Sequence, residues 1–318
     1  MEEIDIREIE GFKIGHYTDS EAGTGCTVII CKEGGIAGVD IRGGAPATRE
    51  TALLNPENMV ERIHSIVLSG GSAYGLDASS GVMKYLEERG IGFTIGTNTV
   101  PIVCAASLFD LEVGNGAIRP DKDMGYKACI NSEKNILEEG NVGAGTGATI
   151  GKILGKDYAM KSGIGIYATK IGELKIGAII ALNALGDIID SDGRIIAGLL
   201  DEDRKSFKNS KEILISNIDK ERIEKNKIGN TTLGCIITNA KLKKVEANRI
   251  ARIAHNGYAK SISPVHTSLD GDTIFTISYG DIDIDKDILA SISVDIIARA
   301  VRRAAKKAKS AYGFKGFA

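Results

Sequence analysis

Lys227-Ile228-Gly229-Asn230-Thr231-Thr232-Leu233-Gly234-Cys235-Ile236-Ile237-Thr238-Asn239 runs from a small polar turn straight into an apolar strand. A strand entered through Gly-Asn-Thr-Thr holds its first residue at the mouth of a sheet, on a rigid element facing a cleft, where a hydroxyl can be presented. That residue is Thr231. Ahead of it, from about Asp201 to Lys227, Asp-Glu-Asp-Arg-Lys-Ser and Asp-Lys-Glu-Arg-Ile-Glu-Lys read as a solvated connection with at most partial structure. The chain could be cut behind that connection without loss of core. Taken alone, Asn-Thr-Thr before a strand is an ordinary turn, so the rest of the chain has to decide.

A chain of 318 residues with 43% hydrophobic content can bury a substantial core, as one large domain or as two sharing a sheet. The net charge of −2, with no basic patch interleaved with aromatics, excludes nucleic acid as the expected partner. The single basic run, Arg302 to Lys309, closes a helix, where the dipole favours cations. Five cysteines, at 26, 31, 104, 129 and 235, never form Cys-x-x-Cys; they are expected as buried small apolar residues, outside any disulfide framework or zinc site. The acidic N-terminus and the lack of an apolar run of spanning length predict a cytoplasmic protein without a membrane partner. Thirty-nine glycines against five prolines imply many tight turns and close backbone approaches.

Along the chain, Cys26–Cys31 and Ile36–Ile41 read as a β-hairpin around Lys-Glu-Gly-Gly, followed by a helix from about Ala47 to Leu54. Ile63–Leu68 is a strand that runs through the glycine-rich turn Ser69–Asp77 into a helix with Leu76, Val82, Met83 and Leu86 on one face. Tyr74 stands where the hydrolase elbow Gly-x-Ser-x-Gly needs its last glycine. Ser72 is therefore no nucleophile, and Ser72 and Tyr74 are read as wall or substrate pocket. Ser162–Thr169 and Lys175–Ala184 form a hairpin; Lys244–Ile262, with Val245, Ile250, Ile253, Ala254 and Gly257 at helical spacing, faces a core. A last helix runs from an Asp285 cap to Ser310, with Ile288, Ile292, Ile296 and Ala300 on its apolar face. Hairpins and helices without regular βαβ alternation predict an α+β fold with mixed sheets layered between helices.

Three further stretches carry chemistry. Asn141–Lys152, Asn-Val-Gly-Ala-Gly-Thr-Gly-Ala-Thr-Ile-Gly-Lys, fits a loose dinucleotide fingerprint, yet no clear strand precedes it, and as a P-loop it has Thr146 for the first Gly and Ile153 for Ser/Thr. Asn183, in Asn-Ala-Leu-Gly-Asp, is a polar side chain ending an apolar strand. Its amide could donate to an oxygen that becomes negative in acyl transfer; a turn-capping Asn fits equally well. Asp270 and Asp272 precede an apolar strand two residues apart and share a face if the strand begins at Asp270. Such a pair needs a cation nearby. A plain Asp-Gly turn or a divalent-metal site competes with that reading, although two carboxylates without a histidine at ligand spacing hold a metal poorly, and His266 reads as structural.

Gly-Asn-Thr-Thr-Leu-Gly, the 141–152 loop, Asn-Ala-Leu-Gly-Asp and Asp-Gly-Asp-Thr together resemble peptidase family S58, the self-processing N-terminal-nucleophile hydrolases that include L-aminopeptidase/D-esterase, β-peptidyl aminopeptidases and nylon-oligomer hydrolases. The resemblance spans nearly the whole chain. It implies a four-layer α/β/β/α sandwich and a single domain, 1–318, that cleaves itself between Asn230 and Thr231 into an α chain of 1–230 and a β chain of 231–318. It implies Thr231 as nucleophile, Lys152 as an aid to proton movement at the hydroxyl, Asn183 at the oxyanion, and Asp270 with Asp272 orienting the nucleophile and its amine. Tyr126 is carried over as a pocket residue by approximate spacing only. The Asp-x-Asp and the threonine side with the nylon-oligomer hydrolases; β-peptidyl aminopeptidases have Ser and Glu at those two carboxylate positions. The family also implies a small peptide or amide substrate, an oligomer of α/β pairs, and no cofactor.

The chemistry stands independently of the resemblance. A threonine hydroxyl needs a base, and its own α-amine, titrating near ~7.7–8.0, is one. Before cleavage that nitrogen is a peptide N–H and cannot serve. Two other readings remain: acyl transfer between amines in the manner of ornithine acetyltransferases, and a nucleotide-binding protein using the 143–148 loop.

Overall fold

The computed structural model describes residues 1–134, 136–216 and 229–318. Ten strands share one hydrogen-bonded ladder: β1 (Glu2–Ile4), β2 (Lys13–Asp19), β3 (Thr24–Ile41), β4 (Ala47–Arg49), β5 (Arg62–Ser69), β6 (Val103–Ser107), β7 (Ile164–Ile171), β8 (Leu174–Ala181), β9 (Leu233–Ala240) and β10 (Thr273–Ile282). Their order is β1-β7-β8-β9-β10-β3-β5-β6-β4, with β2 beside β3. The pairs β9/β10 and β5/β6 are parallel and the others antiparallel, so the sheet is mixed.

β3 turns this ladder into two layers. Its first half pairs with β2 and β5, its second half with β10, and the register to β5 slips between Ile30 and Gly35. This corrects the expected hairpin at Lys32–Gly35. Gly34, at φ +76°, bends one continuous strand instead of reversing it, because the first apolar run pairs with β2 and β5 and the second pairs chiefly with β10. The expected helix at 47–54 is likewise corrected: Ala47–Arg49 pairs with β6, and only Thr51–Leu54 coils, as a 3₁₀ turn.

Among the described residues the α-helices are α1 (Ala78–Glu87), α2 (Lys122–Glu133), α3 (Ser210–Ser216), α4 (Lys244–Ala259) and α5 (Lys286–Lys306). Three apolar cores separate the layers. Val28, Val67, Val82, Tyr85 and Leu86 pack α1 and α2 onto the β2-β3-β5 side. Ile29, Ile66, Leu68, Ile179, Cys235, Phe275 and Ile277 fill the space between the two sheets. Ile176, Ile236, Ile250, Tyr258, Ile296 and Val301 seat α4 and α5 on the other side. Three cores between four layers make the α/β/β/α sandwich, and each large buried side chain stabilises it by roughly 1.5–3 kcal/mol. Asp285 caps α5 as expected, accepting from Asp287 N and Ile288 N. Val245 and Ile288, expected in the core, are exposed at the first turns of their helices.

All five cysteines are buried and free. Among the described residues no helix is long and apolar enough to cross a membrane. The expected solvated connection is described only to Ser216, within which Ser210–Ser216 is helical; its remainder, through Lys227, lies outside the described residues.

Strand direction decides where the chemistry gathers. β9 and β10 are parallel with Leu233 opposite Thr273, so the residues just before each, Thr231-Thr232 and Asp270–Asp272, emerge at the same edge. β8 runs antiparallel to β9 with Ala181 opposite Leu233, so it ends at that edge and delivers Asn183 there. β3 ends beside the start of β10, and the chain beyond it closes the edge: Arg42 N donates to Asp272 O at 2.7 Å and Ala45 N to Asp270 O at 2.9 Å.

Candidate active site

Thr231, Lys152, Asn183, Asp270 and Asp272 are 2%, 3%, 0%, 2% and 1% exposed in the intact chain. Five polar side chains buried together need hydrogen-bond partners; one bond joins Lys152 to Asn183, and neighbouring backbone and side chains supply the others around Thr231. Its amide donates to Asn183 O at 2.7 Å, and the next amide, of Thr232, donates to Asp272 Oδ1 at 2.7 Å. The expected strand start is shifted by two residues, since the ladder of β9 begins at Leu233. Gly271 allows the fit. A Cβ there would lie 2.7 Å from Thr231 Oγ1 and 2.6 Å from Ala45 O, so any side chain would displace the hydroxyl.

Lys152 arrives on the glycine-rich loop, which is clamped alongside the end of β8: Gly151 N donates to Gly186 O at 3.1 Å and Lys152 N to Leu185 O at 2.9 Å. Its Nζ donates to Asn183 Oδ1 at 2.8 Å and to Gly229 O at 3.4 Å, two residues ahead of Thr231. Burial drives its pKa down to about 7, against the opposing charges of Asp270 and other nearby carboxylates. Asn183 also accepts from Thr149 N at 3.1 Å and donates its amide to Phe109 O at 3.0 Å.

The two carboxylates do not sit on the strand, which begins at Thr273, so the shared face expected for a strand starting at Asp270 is not what aligns them. Asp270 Oδ2 accepts from Thr267 N and Oγ1 at 2.6 and 2.7 Å. Burial, and then the charge of Asp272, lift its pKa to about 6. Asp272 Oδ2 meets His266 Nδ1 at 2.8 Å.

Two supporting residues, Lys161 and Asp110, give no role in sequence, and a third, His266, reads there only as structural. Lys161, fully buried, donates to Gly145 O at 3.0 Å, Ala148 O at 2.9 Å and Ser162 O, pinning the glycine loop from behind. Burial lowers its pKa to about 7. Asp110, lifted to about 6 by burial, accepts from Thr24 Oγ1 and Gly71 N, each at 2.7 Å, and so ties down the Ser69–Asp77 turn. His266 is the third. A lysine within the short Met160–Ser162 stretch that closes the glycine loop is the available signal for the first; Asp110 gives none in sequence.

The 143–148 segment is buried against β2 and β3, with Cβ positions at Gly143, Gly145 and Gly147 taken by Thr27 Oγ1, Ile164 N and Gly23 O. Its glycines serve close packing and leave no cradle for a phosphate. Ser72, Tyr74 and Tyr126 stay outside the buried group. Ser72, at φ +54°, donates its amide to Leu108 O at 2.9 Å. Tyr74 is 61% exposed beneath Arg119. Tyr126 donates its hydroxyl to Glu88 at 2.6 Å on the outer helical layer. A narrow crevice of about 10 Å³, room for about one water, lies between Phe109, Glu112, Val113, Lys156 and Phe314 and reaches Lys152.

The sequence profile of peptidase family S58 matches residues 5–317. An uncharacterized aminopeptidase of Mycobacterium tuberculosis is 37% identical over 287 residues, covering 86% of this chain and 81% of its own. A 6-aminohexanoate-oligomer endohydrolase of Kocuria sp. is 30% identical over 277 residues, covering 87% and 75%. Among solved structures, the L-aminopeptidase D-Ala-esterase/amidase of Ochrobactrum anthropi, described as a variant of the Ntn hydrolase fold, superposes with a TM-score of 0.70 at 16% identity, covering 95% of this chain and 86% of that one. A Burkholderia sp. β-aminopeptidase superposes at 0.67 with 15% identity, covering 98% and 90%.

Proposed function

This chain belongs to peptidase family S58 and is a hydrolase, and from that premise we propose an enzyme that cuts itself at Asn230–Thr231 and then uses Thr231 to hydrolyse amide or ester bonds beside a free amine. The observation that supports this most directly is the contact of Lys152 Nζ with both Asn183 Oδ1 and Gly229 O, next to a threonine whose own nitrogen is still a peptide N–H.

Two stages need two bases. In the intact chain the Thr231 nitrogen cannot accept a proton, so Lys152, near-neutral because it is buried, takes the hydroxyl proton as Oγ1 attacks the Asn230 carbonyl. The peptide C–N bond breaks, the nitrogen leaves as an amine, and an ester joins Asn230 to the Thr231 oxygen. Water hydrolyses that ester and frees the hydroxyl. From then on the α-amine is the base, Oγ1 attacks the substrate carbonyl, the leaving amine departs with a proton, and water resolves the acyl-threonine ester. Asn183 steadies the negative oxygen once its amide turns from Phe109 O, and Asp270 with Asp272 balance the ammonium form of the amine. The names of the relatives, aminopeptidase and 6-aminohexanoate-oligomer endohydrolase, support a linear amide as the substrate.

Intact-mass spectrometry with N-terminal sequencing, followed by hydrolysis of aminoacyl-p-nitroanilides, tests this. Two fragments, the smaller beginning at Thr231, with turnover abolished in Thr231→Ala, are the expected result. Full turnover by Thr231→Ala would end the reading.

A further inference from the structure

Behind Asp272 lies a histidine that the mechanism above does not use. His266 places Nδ1 2.8 Å from Asp272 Oδ2, while the other oxygen of the same carboxylate receives Thr232 N at 2.7 Å. Asp272 is therefore held from both sides, by one ring and by the peptide bond that follows the nucleophile. The histidine backbone sits at φ +57°, a left-handed conformation that costs a non-glycine residue about 1 kcal/mol or more and that persists where the surroundings impose it. The surroundings here are two further rings. His255 meets His266 edge-on at 4.9 Å and Tyr258 stands tilted at 6.2 Å. His255 is itself anchored by Nε2 to Asp40 O at 3.0 Å. Nε2 of His266 is buried with no hydrogen-bond partner among the described residues, so the ring's polar engagement there is the one to Asp272.

We infer that His266 is a positioning residue for the Thr231 nucleophile, acting through Asp272, which it holds in the orientation that receives Thr232 N. The Nδ1–H tautomer donates to the carboxylate, and a carboxylate fixed at one oxygen presents the other in a single place. Without that donor Asp272 can rotate, and Thr231 loses its fixed relation to Lys152 and Asn183. A shift of about 1 Å in such a group is enough to slow chemistry by as much as ~100-fold. This inference rests on the proposed threonine chemistry and adds a residue to it.

Two substitutions separate positioning from packing. His266→Phe keeps a ring against His255 and Tyr258 and removes the donor; His266→Asn removes the ring and keeps an N–H close to where Nδ1 stands. Each full-length variant is purified and melted, its self-cleavage is timed by intact mass, and kcat and KM are measured on whatever cleaved enzyme forms. Positioning predicts that H266F melts near the parent yet cleaves itself and turns over at least tenfold more slowly, with KM changed less than about twofold, and that H266N recovers most of the rate despite a lower melting temperature. The opposite pattern, rate retained in H266F and lost in H266N in step with stability, would overturn it. So would parental rates in both. Thr231→Ala is run alongside: if it is also active, the threonine reading itself has failed, whereas an inactive T231A beside an unaffected H266F removes only the role of His266.

Discussion

If Lys152 is the base for self-cleavage, the rate at which freshly folded precursor divides must follow the neutral fraction of that one amine. Burial places its pKa at about 7. A single group titrating there is about 90% neutral at pH 8, about half at pH 7, about 9% at pH 6 and about 1% at pH 5. Self-cleavage should thus fall roughly fivefold from pH 7 to 6 and roughly fiftyfold from pH 7 to 5, and gain less than twofold between 7 and 8. The sign is fixed: acid protonates the base and slows the cut. The assay refolds or translates the chain at neutral pH, jumps it to the test pH, and follows the two fragments by gel or mass. Lys152→Met should fold, because it replaces a buried charge by a similar apolar volume, and stay uncut at every pH. A rate independent of pH between 5.5 and 8 would refute the assignment, as would Lys152→Met cleaving at the parental rate. A limb centred near 6 would instead fit Asp270, whose carboxyl burial and the neighbouring Asp272 hold at about that value.

Gly271→Ala should leave an intact, folded and uncut chain, because the new methyl would stand 2.7 Å from Thr231 Oγ1 and 2.6 Å from Ala45 O and push the hydroxyl aside; fragments appearing at the normal rate would show that the loop yields. Lys161→Met removes the donor from the buried Ser162 carbonyl and one of the two donors from Gly145 O and Ala148 O, and should lower stability by about 2 kcal/mol in denaturant titrations at pH 9. Lys161 is held at about 7 in the fold against 10.5 when free, so the unfolded chain binds its proton more tightly and stability should rise with pH from 7 to 9. That slope should be shallower in Lys161→Met, and an unchanged slope would assign the effect elsewhere. Thr231→Ser should keep both self-cleavage and turnover within about tenfold, since the hydroxyl and the nitrogen survive the change, and a dead T231S would make the methyl group essential to alignment.

Much of this fold is legible in the amino-acid sequence alone. The helix over 244–259 and the hairpin over 164–181 announce themselves by period, because one face of each meets a core. The meeting of Thr231, Asn183 and Asp272 could be inferred only through resemblance, since the contact depends on β9 and β10 being parallel neighbours, and no local pattern encodes which strands pair. The same limit explains the false hairpin at Lys32–Gly35: Gly-Gly between apolar runs fits a reversal and a bend alike, and partners far along the chain decide. Asp110, and the partner of a His266 that reads only as structural, are illegible for a related reason, because a buried polar residue looks like a surface one until its neighbours are known.

The position of β9 and β10 within the ladder bears on heredity as much as on chemistry. A break before Thr231 would give a short piece owning two strands in the middle of the sheet, with β8 of the long piece on one flank and β3 of the long piece on the other. Neither piece could depart without unzipping two seams, and the long piece alone would expose two raw edges. Two separate genes, one for 1–230 and one beginning at 231, would therefore have to be expressed in equal amounts and meet before either could aggregate. Writing both pieces as a single reading frame guarantees that stoichiometry and that encounter, and the join then need last no longer than folding takes.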